Sequence, residues 1–264
     1  MITLKTKEEI KMLREGGKIL AEILKKISEI TVPGATTEEL EKMACDLIRE
    51  AGGRPSFKGY KSVLDEKPYP TALCTSINNE IVHAPSLPAR TLKEGDIIGV
   101  DIGMEYPYKK DVNGYYTDMA VTLAVGKIDK EASRLISVTK KSLDLAIKKV
   151  KPGNTLNDIG STIQQFAEAN GFSVVRDLVG HGVGHDVHEE PRVPNYEIPR
   201  KSIDNVTLKP GMVIAIEPMI NTGEWGIEIA SDDLTILTID GSLSAHFEHT
   251  IAVTENGYLV LTEL

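Results

Sequence analysis

Apolar residues recur at helical spacing from Thr6 to Ile30, where Ile10, Leu13, Leu20 and Leu24 share one face of a charged segment. Thr6 followed by Glu9 supplies the reciprocal cap that starts such a helix, and Pro33-Gly34 ends the pattern. Thr36 with Glu39 opens a second helix that runs to Ala51-Gly52-Gly53. A longer amphipathic stretch extends from about Lys130 to Val150, and a further helix ends at Asn170-Gly171. Elsewhere the period changes. Ile97-Ile98-Gly99-Val100 and Val213-Ile214-Ala215-Ile216 are short unbroken apolar runs of the buried-strand kind, and Tyr115–Thr122 and Thr250–Val253 are strand patterns as well. Lys61–Pro70 and the hairpin tip Glu105–Asn113 read as surface loops, and Ser231–Gly241 as an extended hairpin. The chain is therefore expected to be α+β.

The pattern repeats. Pro33-Gly34-Ala35-Thr36 returns as Pro152-Gly153-Asn154-Thr155, an offset of 119 residues, and each copy opens a helix preceded by a longer one. Leu92-Lys93-Glu94-Gly95-Asp96-Ile97-Ile98-Gly99-Val100-Asp101 returns as Leu208-Lys209-Pro210-Gly211-Met212-Val213-Ile214-Ala215-Ile216-Glu217, an offset of 116. Both read as a turn, a buried strand, then a carboxylate. Val82-His83 and Val187-His188, each followed by two prolines, form a weaker third echo. Two such units are too long and too few for a solenoid. They fit a single domain over 1–264, made of two pseudo-symmetric halves, roughly 1–125 and 126–264, with carboxylates at equivalent strand ends converging near the pseudo-two-fold axis.

The carboxylates carry the chemistry. Asp101 ends an apolar run, Asp118 lies in the β-pattern that can pair with it, Glu217 ends the matching run in the second half, and Glu248 precedes a fourth strand. A buried acid must be paired, protonated or bound to a cation, and acids brought together repel unless a cation lies between them. His181 sits in Gly180-His181-Gly182-Val183-Gly184-His185. The two histidines have the spacing of a zinc-binding helix, but three glycines oppose a helix there and no glutamate holds the required place. The glycines point instead to a tight extended backbone. One imidazole with four carboxylates is an oxygen-rich set suited to two divalent ions such as cobalt, manganese, iron(II) or zinc. His83 and His188 are candidates to donate to a substrate carbonyl or amide beside such ions.

Composition narrows the setting. Over 264 residues the hydrophobic fraction is 41%, enough for a large core, and the net charge of −9 argues against non-specific binding to nucleic acid or anionic membranes. Two cysteines, Cys45 and Cys74, make no disulfide framework and fit a reducing compartment. The first residues, MITLKTKEEIKML, lack the apolar stretch of a signal peptide, and no apolar run approaches the roughly twenty residues of a membrane span. Serine-hydrolase, phosphate-loop and dinucleotide signatures are missing from the sequence.

Taken in order, CTSINNEIVHAP, GDIIGVDIG, GYYTDMAVT, GHGVGHDVHEEPRVPNY, LKPGMVIAIEPMI and SAHFEHTIAVTENG resemble the motifs of the methionine aminopeptidases of pita-bread fold, and more the short type I form than type II. The resemblance spans nearly the whole chain. It implies antiparallel strands inside and helices outside. It makes Asp118 and Glu248 the bridging ligands of two divalent ions, with Asp101 completing one ion's sphere and His181 and Glu217 the other's. His83 and His188 become substrate-contacting catalytic histidines, and Tyr69 and Cys74 line the methionine pocket. The implied partners are peptide and nascent-chain N-termini beginning with methionine, in the cytoplasm and with ribosome association; no membrane or sequence-specific nucleic-acid contact is implied. A small second residue is the implied preference. The chain departs from the family pattern by about six extra residues between Asp101 and Asp118, by Lys67 and Val187 where histidine and phenylalanine are common, and by Leu234 where tryptophan is common. The lone Trp225 is not expected to replace that tryptophan. A proline-specific peptidase and a non-catalytic binding protein of the same fold are the competing readings. The first usually carries an additional N-terminal domain, for which residues 1–30 leave no room, and the second would have lost ligands.

Overall fold

Both expected capping boxes form. The Thr6 hydroxyl accepts from Glu9 N at 3.2 Å, and the Glu9 carboxylate accepts from Thr6 N at 2.7 Å, opening helix α1 (Lys7–Ile30). Thr36 and Glu39 do the same for α2 (Thr37–Glu50). The structure, a computed structural model, describes residues 1–61 and 67–264. The middle of the expected surface loop Lys61–Pro70 thus lies outside the described residues. The strands β1 (Arg54–Pro55), β2 (Leu73–Ile77), β3 (Glu80–Val82), β4 (Ile97–Tyr106) and β5 (Tyr115–Ala124) follow.

The second half opens with α3 (Lys130–Ile147) and α4 (Leu156–Ala169). Helix α3 stops short of Val150 because Lys149 N and Val150 N bond back only three residues, to Ala146 O and Ile147 O, which tightens the last turn. Then come β6 (Ser173–Val174), β7 (Gly180–Gly182), β8 (Glu189–Val193), β9 (Val213–Ile216) and β10 (Met219–Asn221). The chain ends with β11 (Ile227–Ile229), β12 (Ile236–Thr238), β13 (Ser244–His246), β14 (Glu248–Thr254) and β15 (Gly257–Val260). The hairpin expected at Ser231–Gly241 is displaced: its first strand is β11, before Ser231. Asp232 turns the chain instead, accepting from Leu234 N at 3.0 Å and Thr235 N at 2.9 Å. No helix among the described residues is long and apolar enough to cross a membrane.

The main sheet runs β1-β4-β5-β14-β9-β7-β8, so strands from both halves form one layer, joined where β5 meets β14. Alternation sorts its side chains. Ile98, Val100 and Ile102 of β4 pack beneath α1 and α2, while Ile214, Ile216, Ile251 and Val253 pack beneath α3 and α4. The opposite, inner face carries Asp101, Asp118 and Glu248. This is the pita-bread fold, with curled antiparallel sheet inside and helices outside.

The internal echo is mechanical as well as sequential. Gly34 N donates to Leu92 O at 2.9 Å, and Gly153 N to Leu208 O at 3.1 Å. Leu92 N returns a bond to Ala35 O, as Leu208 N does to Asn154 O. Gly95 N reaches Val125 O and Gly211 N reaches Val253 O, each at 3.0 Å. One expectation is corrected. Asp101 and Glu217 do not both end strands: Asp101 is in the middle of β4, whereas Glu217 lies just beyond β9. Pro218 explains the difference, since it has no N–H with which to extend the ladder. In the first half β4 continues against β5 to the Tyr106–Tyr115 pair. Beyond it, the longer connection is anchored by buried Glu105, which accepts from Gly114 N and Arg54 Nε at 2.9 and 2.7 Å.

Gly34 and Gly153 have φ of 91° and 88°, with open space where a Cβ would stand. Alanine at either position is therefore expected to cost backbone strain alone, about 1–2 kcal/mol and similar at both sites. Urea unfolding of Gly34→Ala and Gly153→Ala measures this; unchanged stability in either would show that its turn does not require the left-handed conformation.

Candidate metal centre

Register explains how distant acids meet. Ala120 of β5 lies opposite Asp101 of β4 on one side and Glu248 of β14 on the other. Residues directly opposite share a face, and Asp118 is two residues along β5, so all three acids point the same way. Strand β14 pairs with β9 as His249 to Ile216 and Thr250 to Ala215. Continuing that register by one brings Glu217 beside Glu248 on the same inner face. Strand β7 meets β9 through Gly182 and Ile214, which puts His181 alongside Ala215. Gly180 makes that contact possible, since a Cβ there would stand 2.4 Å from Ala215 O, and Gly182 does the same toward β8, where a Cβ would stand 2.3 Å from Glu190 O.

All five expected ligand residues line one cavity of about 750 Å³. Asp118, His181 and Glu248 offer donor atoms within 4.8 Å of one another. Glu217 Oε1 is 3.5 Å from His181 Nε2. The His181 ring is oriented by the contact of Nδ1 with Gly182 O at 2.9 Å, which leaves Nε2 toward the carboxylates. His185 turns away: its Nε2 meets Glu9 Oε1 at 2.8 Å, so it forms no pair with His181.

This wall is little exposed and crowded with carboxyl groups. Burial is the largest cause that raises the carboxyl pKa of Asp118, Glu217 and Glu248 well above the usual range, and their mutual repulsion adds to it. Burial also pushes Asp101 up to about 7, opposed in part by the Cys74 thiol hydrogen-bonded to it. His181 is held down at about 4 by burial, so its ring is neutral near pH 7. Asp101 Oδ1, Asp118 Oδ1 and Glu248 Oε1 are buried without a hydrogen-bond partner among the described residues. Such oxygens are costly unless a cation satisfies them. The donor set, oxygen-rich with one neutral imidazole, fits a hard or borderline divalent ion.

The wall is rigidly supported. Thr250 Oγ1 donates to Asp118 O at 2.8 Å and accepts from Asp118 N at 2.9 Å, tying β14 to β5. Asn195 Nδ2 holds Glu217 O at 3.0 Å. His83 and His188 line the same cavity. His83 has φ of 60°, a strained value for a non-glycine residue. His188 Nδ1 meets Tyr60 Oη at 2.8 Å, and its ring stands 4.4 Å, centre to centre, from that of His181.

Tyr69 and Cys74 line the cavity too, and Phe57 joins them there. Burial raises the Cys74 thiol, so it is a neutral wall atom and no nucleophile. Of the three single positions that depart from the family pattern, Lys67 and Leu234 line the cavity, while Val187 is buried against Phe57 and Cys74 outside the lining. Lys67 Nζ stands 3.9 Å from Asp233 Oδ2. Trp225 is remote, half-exposed beneath Arg176.

Sequence reasoning missed Phe57, Tyr60, Glu41 and His246. Phe57 and Tyr60 follow β1 in an irregular stretch with no periodicity to mark it. Buried Glu41 accepts from Ala72 N and Leu73 N, fixing the start of β2 and hence Cys74. Its place on an amphipathic helix gave no hint of this. His246 lies two residues before Glu248, in a segment already singled out; its burial was the missing signal.

The sequence matches metallopeptidase family M24 over residues 11–255. It is 44% identical over 262 residues to a methionine aminopeptidase of Clostridium acetobutylicum, covering 99% of both chains. It is 43% identical over 265 residues to methionine aminopeptidase 1 of Bacillus subtilis, covering 100% of both. The crystal structure of methionine aminopeptidase from Thermotoga maritima superposes with a TM-score of 0.91 at 42% identity, covering 100% of both chains.

The raised carboxyls have a measurable consequence. An imidazole of the unfolded chain titrates near pH 6.5 and is largely neutral by about pH 7.5, so above that the acids dominate the linkage. An acid raised in the folded state, such as Asp101 at about 7, stabilises fully below its unfolded value and loses that contribution as pH rises through the folded one. The metal-free protein should therefore melt at lower temperature as pH rises above about 7.5, and Mn²⁺ should oppose the fall while releasing protons. Thermal scans and calorimetry in buffers of different ionisation enthalpy test this. A flat profile with no proton release would rule out protonated carboxyls at the site.

Proposed function

The chain belongs to metallopeptidase family M24, and on that premise we propose that it removes N-terminal methionine from peptides and nascent chains as a metal-dependent aminopeptidase. The observation that carries this reading is the convergence of Asp101, Asp118, His181, Glu217 and Glu248 on one cavity wall, below His83 and His188. The whole chain, 1–264, would act as one catalytic unit, with the site on the seam between its halves.

The strand order supports a division of the ligands. Asp118 and Glu248 come from the two central strands, β5 and β14; Asp101 lies to one side on β4, and Glu217 and His181 to the other at β9 and β7. Asp118 and Glu248 would therefore serve two divalent ions in common, Asp101 one of them, and His181 with Glu217 the other. When bound, such ions supply Lewis acidity toward the scissile carbonyl and bring the pKa of a water near neutrality.

The protein's own groups do the rest. Glu217 would take the proton of the attacking water and return it to the leaving amine nitrogen. His188, oriented by Tyr60 Oη, would donate to the oxyanion, and His83 would hold the amide nitrogen of the scissile bond. Phe57, Tyr69 and Cys74 offer rings and a neutral thiol to an unbranched thioether side chain. A small second residue is the preference we expect. Nascent chains as substrates would bring the enzyme to the ribosome in the cytoplasm.

Two experiments test this. Given Met-Ala-Ser and Ala-Pro-Ala, the protein should free methionine from the first and leave the second intact. A chelator should abolish the reaction, and Mn²⁺, Co²⁺ or Fe²⁺ should restore it. Cleavage of Ala-Pro-Ala alone would favour a proline-specific peptidase, and no cleavage of either a binding protein. Among variants, Glu248→Ala should lose both metal and turnover. His188→Ala should keep its metal content but lose about 10²-fold or more in kcat; an unchanged rate would remove His188 from the mechanism.

A further inference from the structure

His246 ends β13 with 3% exposure, yet it does not line the cavity; it stands behind Glu217. Its backbone is held on both sides by one hydroxyl. Thr122 Oγ1 donates to His246 O at 2.8 Å and accepts from His246 N at 2.8 Å. Thr122 belongs to β5, the strand that bears Asp118, so the root of the ring is tied to the ligand sheet itself. The ring nitrogen Nε2 is buried without a hydrogen-bond partner among the described residues and stands 3.6 Å from Glu217 Oε2. The other carboxylate oxygen, Oε1, faces His181 Nε2 at 3.5 Å. Glu217 is thus flanked by two imidazoles, one within the cavity and one behind its wall. A buried ring nitrogen is costly to leave unpaired, and the Glu217 carboxyl is the polar group next to it.

We infer that His246 is a positioning residue of the metal centre, whose Nε2–H donates to Glu217 Oε2 and thereby directs Oε1 toward the ion shared with His181. The inference rests on the metal-centre reading above. A ligand carboxylate with one oxygen pinned loses less freedom when the ion binds, so His246 acts on metal affinity through Glu217 and makes no contact with substrate.

The test titrates the metal-free full-length protein with Co²⁺ alone, read by calorimetry and by the visible absorption of the bound ion. His246→Leu should bind Co²⁺ about 10–100-fold more weakly at one site, with a changed spectrum. His246→Gln, whose amide N–H can reach the same oxygen, should stay within a few-fold of the parent and keep the parental spectrum. Should the leucine variant fail to fold, judged by circular dichroism, His246→Asn, with a donor too short to reach, takes its place and should bind weakly. Parent-like affinity in the leucine or asparagine variant overturns the inference. So does a glutamine variant as weak as leucine, which would make the imidazole itself a ligand. Failure of the parent to take up Co²⁺ would instead overturn the metal-centre reading, and the inference with it.

Discussion

Four carboxyl groups crowded on one little-exposed face would repel each other if all were ionised, and that repulsion is the constraint around which the molecule is arranged. Without a cation the acids can coexist only by holding protons, which is why burial and neighbouring charge drive them above the usual range. Divalent ions convert the same crowding into attraction. The face must also be stiff, because acids free to swing apart would relieve their repulsion and lose the ions. Thr250 on Asp118, Asn195 on Glu217 and Thr122 on His246 supply that stiffness, each a buried or half-buried side chain bonded to backbone.

The two halves that echo each other in sequence meet on this face. Each half builds a turn, a strand and a helix layer with the same hydrogen bonds, and each delivers an acid to the inner face. Bringing the halves together along β5 and β14 sets the acids of one against those of the other. Neither half holds enough donors alone. The symmetry is broken where chemistry needs it: Pro218 stops β9 beside Glu217, and His181 enters from β7, whose Gly180 allows the backbone to approach β9.

Much of this is legible in the residues. Thr6, Glu9, Thr36 and Glu39 announce their helices, because capping is local and a side chain reaches only three residues along. The turn phrases and their offsets announce the repeat. The four acids of the expected ligand set are legible because a buried acid in an apolar strand run is too costly to keep without a proton, a partner or a cation, and His181 is marked instead by the glycines around it. The hairpin at 231–241 is displaced from its expected place because the polar turn organised by Asp232 carries apolar residues at strand-like spacing. The strand ends are not legible, because alternation marks where a strand can run, while a pairing partner determines how far it does.

By itself, then, the sequence determined the elements, the repeat and the kind of chemistry, all of which depend on local spacing and residue type. Only the tertiary structure decided which acids are neighbours, that Asp118 and Glu248 hold the middle of the row, that Val187 is buried off the cavity while Leu234 lines it, and that His246 stands behind Glu217. These relations come from strand register and sheet order. Some join residues more than a hundred positions apart, as Asp118 and Glu248 are, and none leaves a periodic trace along the chain.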